Sequence, residues 1–206
     1  MKMNKTGKRK AIFMRHADRP KFASETEDGS LGEHEETDVS ITEEGRARAR
    51  ESALQLGLAK PRVFSSPLKR CVQTAQAAID AMVWDVDVEP QSFLHYEHFA
   101  LDLEDCNESE MQQLIRDVLS GKEVIEDLDQ KVWQVLQQVV EAAEAQDVLL
   151  VTHDWWMSLF LSRLTDAFEV NGFDIWPEFC ESYTLDISQM IITYRGEKYQ
   201  IVQPGI

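Results

Sequence analysis

Near the start of the chain the apolar run "AIFM" ends in Arg15-His16, and Asp18 and Arg19 follow within three residues. A second apolar run, "RVF", ends in Ser65-Ser66 and leads to Arg70 about one helical turn later. A third, "VLLVT", ends in His153-Asp154. In open α/β sheets ligands bind at the carboxyl ends of the strands. If these three strands are parallel, Arg15, Arg19, Arg70, His16 and His153 collect at one edge.

That set of side chains has a definite chemistry. Arginine carries a planar fork of donors that matches phosphate oxygens in pairs. Three of them at one spot, in a chain of net charge −16, call for a bound anion. Imidazoles among cations resist protonation, so at least one of the two histidines is expected to be neutral. A neutral imidazole has a lone pair and can act as a nucleophile. The arginines would hold the equatorial oxygens while phosphorus is attacked, which is the electrostatic part of phosphoryl transfer.

Such residues need a scaffold. The chain has 206 residues, 43% apolar and 28% charged. This suits a single domain, 1–206, that buries a core without metal or disulfide staples. "KAIFM", "RVFSS" and "DVLLVTH" read as buried strands, the last apolar throughout as in a central parallel sheet. Helices are expected over 40–57, 67–82, 127–145 and in "WWMSLFLSRL". Ser40 with Glu43 fits a capping box, Gly57 a stop, and Pro67 a first helical turn. In the helix over 127–145, Val132, Leu136, Val139, Val140 and Ala143 form one apolar stripe. "YTLDIS" and "MIITYRGEKYQIV" read as late strands with a turn at Gly196. The polar stretch 21–39 reads as a loop, and about 90–125 as an irregular insertion with one helix around 108–119. Alternating strands and helices predict an α/β fold: a three-layer α/β/α sandwich around a mixed, mostly parallel sheet.

Composition narrows the partners. With 37 acidic against 21 basic residues, the surface repels nucleic acid and anionic membranes. The basic start "MKMNKTGKRK" is followed by too short an apolar run for a secretory signal, and "WWMSLFL" is too short to span a bilayer. Cys71, Cys106 and Cys180 have neither a disulfide framework nor zinc-ligand spacing, so reduced thiols in a cytoplasmic protein are expected.

Taken together and in this order, "MRHADRP", "FSSPLKRCVQTA" and "VLLVTHD" resemble the histidine phosphatase superfamily, which contains the phosphoglycerate mutases and acid phosphatases. The matching pieces run from about residue 11 to 160. The resemblance implies that His16 is the nucleophile that becomes phosphorylated. It makes Arg15, Arg70 and His153 the phosphate pocket, with Arg19 similar to an additional arginine of the acid-phosphatase branch. Water then hydrolyses the phosphohistidine, with no metal and no cofactor. Two departures stand out: Ala17 occupies a position usually held by Gly, and Arg19 and Pro20 are adjacent where the acid-phosphatase branch has one residue between them.

A general acid must protonate the leaving oxygen. Asp154 resembles the acid of the acid-phosphatase branch and is favoured, which predicts faster turnover at mildly acidic pH. Glu97, in "FLHYEHF", lies where the mutase branch supplies a Glu. An Asp at that point can also simply cap a helix. Asp18 either contacts substrate or pairs with an arginine. His95 and His98 either line the cleft or are exposed in the insertion, and one of Trp155 and Trp156 is expected in the core. A metal held by His16, His153 and Asp154 is disfavoured by the surrounding arginines. The acidic stretch 25–38, folded over the pocket, would repel substrates with several phosphates. The expected partner is thus a small phosphorylated substrate or a phosphoprotein, with oligomeric state open. Two competing functions are a phosphoglycerate-type mutase and a non-catalytic phosphate-binding domain.

Overall fold

From Ala11 to Met14 every residue of strand β1 (Lys10–Arg15) is apolar and buried. Side chains alternate between the faces of a strand, so an unbroken apolar run needs cover on both sides. Ile12 and Met14 join Val63, Leu149 and Val151 in one cluster, and Ala11 and Phe13 join Phe64, Val148 and Leu150 in another. Two apolar layers therefore flank the sheet.

The structure is a computed structural model and describes residues 9–20, 39–95 and 108–202. In it β1 pairs in parallel with β4 (Val148–Thr152), β4 with β2 (Arg62–Ser65), and β2 with β3 (Val88–Pro90). On its other side β1 pairs antiparallel with β5 (Ser182–Asp186), and β6 (Ile191–Tyr194) and β7 (Glu197–Gln200) complete an antiparallel meander. The seven strands run β3-β2-β4-β1-β5-β6-β7. Helices α1 (Glu43–Gln55) and α2 (Lys69–Met82) cover one face. Helices α3 (Glu108–Leu119), α4 (Leu128–Ala143), α5 (Asp154–Leu164) and α6 (Ala167–Asn171) cover the other. This is the expected three-layer α/β/α arrangement with a mixed sheet. No described helix is long and apolar enough to cross a membrane.

Local details differ from expectation in physical ways. The N-cap of α1 is Thr42, whose hydroxyl accepts from Gly45 N at 2.9 Å, while Ser40 accepts from Gln73 on α2. Helix α2 begins at Lys69 rather than Pro67, after an extended Leu68. Trp155 and Trp156 are both buried, because α5 lies between the sheet and its helical neighbours. Trp156 stacks on Phe160 and Phe13, and its indole N–H donates to Phe93 O at 3.0 Å. Ala17 is not among the residues with positive φ, so its methyl strains nothing. Cys71 and Cys180 are buried free thiols. The acidic stretch 25–38, His34, Glu97, His98 and Cys106 lie outside the described residues.

Helix α1 presses closely on the loop that follows β1. Thr42 N donates to Asp18 O at 2.9 Å, and a Cβ at Gly45 would stand 2.4 Å from that oxygen. Since backbone cannot yield as a side-chain tip does, Gly45→Ala is expected to destabilise the protein by ~1–3 kcal/mol. A lower denaturant midpoint at constant m-value is the measurement that checks it.

Candidate active site

Strand register assembles the site. Arg15 lies opposite Thr152, and Ser65 opposite Val151. Just beyond the strands, His16 N donates to Thr152 O at 2.8 Å and Ser66 N to Val151 O at 2.9 Å. The three polar strand ends are thereby adjacent at one edge of the sheet.

His16 is buried, with Nδ1 2.8 Å from the carbonyl of Ala17. A carbonyl only accepts, so Nδ1 carries the proton and Nε2 keeps its lone pair. Arg70 Nε donates to that lone pair at 3.3 Å. Burial, followed by the charge of Arg70, holds His16 well below 6.5, with smaller contributions from Arg15 and Arg19 and opposition from the Ala17 bond. The ring is neutral at physiological pH.

His153 is enclosed by Arg70, Ser66, Trp155 and the Cys71 thiol. Arg70 Nη2 lies 3.4 Å from its Nδ1, and a guanidinium only donates, so Nε2 carries the hydrogen and faces Ser66 Oγ at 3.0 Å. Trp155 stacks beside the ring with an interplanar angle of 7°. Burial, then the charge of Arg70, lowers the His153 pKa well below 6.5. Arg70 thus touches both histidines. Its backbone is tied by Thr74, whose hydroxyl donates to Arg70 O at 2.7 Å and accepts from Ala17 N at 2.9 Å.

Arg15 and Asp154 form a buried ion pair, Nη2 to Oδ2 at 2.8 Å. Arg15 Nη1 also donates to Pro177 O at 2.8 Å, and its guanidinium lies 4.0 Å over the Phe179 ring. Arg15 Nε is buried and has no acceptor among the described residues. Asp154 is the first residue of α5; Oδ1 accepts from Trp155 N at 2.8 Å, and Oδ2 also accepts from Trp176 Nε1 at 3.0 Å. Both of its oxygens are therefore engaged.

Arg15, His16, Arg70, His153 and Asp154 come together. Arg19, half-buried, hydrogen-bonds Pro20 O and is near enough for its charge to act on His16. Asp18 pairs with Arg48 at 3.2 Å. His95 is buried, so it does not lie in the exposed part of the insertion. Among the described residues no group of three or more His, Cys, Asp or Glu is placed to hold a metal ion.

Sequence reading missed Trp176, Pro177 and Phe179, which grip Arg15 and Asp154. The available signal was topological. Because β5 runs antiparallel to β1, with Ser182 opposite Met14, the residues just before β5 fall beside the end of β1.

A model of the histidine phosphatase superfamily (branch 1) matches residues 11–191. No curated protein matches the chain significantly. Among solved structures, it is similar to a phosphoserine phosphatase from Entamoeba histolytica in complex with 3-phosphoglyceric acid, at TM-score 0.58 and 18% identity over 94% of this chain and 98% of that one. A mycobacterial glucosyl-3-phosphoglycerate phosphatase complexed with VO3 gives TM-score 0.58 and 17% identity over 96% and 98%. A phosphoglycerate mutase from Bacillus anthracis gives TM-score 0.54 and 14% identity over 97% and 95%. At such identities the likeness is one of fold.

Proposed function

Because the chain belongs to the histidine phosphatase superfamily, we propose that it hydrolyses a phosphomonoester through a phosphohistidine on His16. The observation that carries this reading is the His16 tautomer: Ala17 O holds Nδ1–H, and Nε2 offers its lone pair beside Arg70. In the first step that lone pair bonds to phosphorus, and the ester oxygen leaves with the bond electrons and takes a proton. In the second, water attacks phosphorus, loses a proton, and Nε2 leaves with its electron pair, releasing phosphate. Arg15, Arg70 and His153 surround the phosphoryl oxygens, and Arg19 adds charge at the edge. The buried Arg15 Nε supports a bound anion, because an unsatisfied buried donor costs about 1–3 kcal/mol until an acceptor arrives. The substrate is a small phosphorylated metabolite or a phosphoprotein.

The primary ion-paired role of Asp154 is to orient Arg15; Glu97 is the other candidate for the proton. Release of phosphate from para-nitrophenyl phosphate with EDTA present, compared between wild type and His16→Ala, tests the reading. A pH profile gives a second check. His16 is competent when neutral, and its pKa lies well below 6.5. The descending acid limb of kcat/KM is therefore expected below pH 6.5, lower than for an unperturbed imidazole. A half-maximal point at or above that pH would place the nucleophile elsewhere.

A further inference from the structure

We propose that Arg195 is a positioning residue of this site, clamping segment 174–181 so that it holds Arg15 and Asp154 in place beside His16; the inference rests on the phosphohydrolase reading above. The segment contacts the site at five points. Trp176 Nε1 donates to Asp154 at 3.0 Å, Pro177 O accepts from Arg15 Nη1 at 2.8 Å, and Phe179 lies under the Arg15 guanidinium. Glu181 O accepts from Arg15 N at 3.0 Å, and Cys180 N lies 3.4 Å from His16 O. Yet residues 176–181 form no helix or strand, and Cys180 has φ +59°. Local structure alone does not fix them.

Arg195 supplies that constraint from the β6–β7 turn. Its guanidinium forks onto the Glu181 carboxylate, Nε to Oε1 at 2.7 Å and Nη2 to Oε2 at 2.8 Å. It also donates to Asp174 O and, at 3.2 Å, to Trp176 O. Tyr194 braces the pair, its hydroxyl donating to Glu181 Oε2 at 3.1 Å and its ring lying under the guanidinium. Arg195 (φ +49°) and Gly196 (φ +85°) are the two central residues of the β6–β7 hairpin, and positive φ at both is what such a two-residue turn requires. The Arg195 side chain is 42% exposed, and exposed ion pairs add little to global stability. Four acceptor contacts on one loop point instead to local positioning: Arg195 fixes the Trp176 backbone, the Trp176 indole fixes Asp154, and Asp154 fixes Arg15.

Orthovanadate, a mimic of phosphorus under attack, reads the site without turnover. Calorimetric titration of the full chain compares wild type with Arg195→Met and Arg195→Lys, alongside thermal melts. Arg195→Met is expected to weaken vanadate about tenfold, as a displaced positioning group does, while the melting midpoint moves little; Arg195→Lys, keeping the charge but not the fork, falls between. Should Arg195→Met fail to fold, Glu181→Gln, which keeps the carboxylate's shape, is expected to weaken vanadate in the same direction. Unchanged vanadate affinity in a folded variant overturns the clamp alone, whatever the melt shows. A wild type that binds no vanadate overturns the active-site reading and the clamp with it.

Discussion

His16→Ala is expected to reduce para-nitrophenyl phosphate hydrolysis by roughly 10⁴-fold, since it removes the nucleophile from a group of residues that act as a unit. Alanine has no lone pair to attack phosphorus. The other lone-pair nitrogen of the site, His153 Nδ1, lies 3.4 Å from Arg70 Nη2 and does not attack in the proposed mechanism. Burial pushes the Cys180 thiol up to about 12, so it carries little thiolate at neutral pH. Arg15, Arg70 and His153 remain, so the variant should still bind orthovanadate. Labelled substrate followed by rapid quenching separates the possibilities. Wild type should retain acid-labile label on the chain, and His16→Ala none. A variant that keeps turnover would mean that water, not His16, attacks phosphorus.

The residues of this site were readable because their chemistry is local in sequence. Each polar cluster sits at the end of an apolar run, and parallel pairing of β1, β4 and β2 brings the ends together. One condition, that the strands be parallel, sufficed to place Arg15, His16, Ser66 and His153 side by side. The grip on Arg15 was not readable in this way. Pro177 is 162 residues from Arg15 in the chain, and its carbonyl has no side-chain signature. Only knowledge that β5 returns antiparallel against β1 would place it there. Arg195 is further removed, acting through the turn between β6 and the edge strand β7. Smaller misses have the same origin. Ser40 and Thr42 are both hydroxyl residues able to cap, and the contact of α1 with Asp18 accompanies the use of Thr42. Strand β3 has only three residues, too few for a period to show. The burial of both tryptophans did have a signal: "WWMSLFL" is apolar on every face, as a helix enclosed by neighbours must be.

Asp154→Asn is expected to lower kcat/KM by about 10²-fold or more, because it disturbs a charge aimed at the phosphoryl group. Both carboxylate oxygens face donors, Oδ1 the Trp155 amide and Oδ2 the Arg15 and Trp176 N–H groups. An asparagine must turn its own NH₂ toward one of them whichever way it flips. Arg15 is also left as a buried charge without its partner, which typically costs about 3–5 kcal/mol of stability. The distinguishing readout is the leaving group. Para-nitrophenolate departs readily as an anion, whereas an alkoxide needs a proton. In the proposed mechanism Arg15 holds the phosphoryl group in both cases. If Asp154 acts by orienting Arg15, the variant loses rate equally on para-nitrophenyl phosphate and on an alkyl phosphate. If Asp154 is the general acid, the loss falls mainly on the alkyl ester, and the aryl ester is largely spared. The ion pair with Arg15, only 4% of the Asp154 side chain being exposed, favours the first outcome. Glu97→Gln is then the substitution expected to separate the two esters, since a proton donor matters only to the leaving group that needs one.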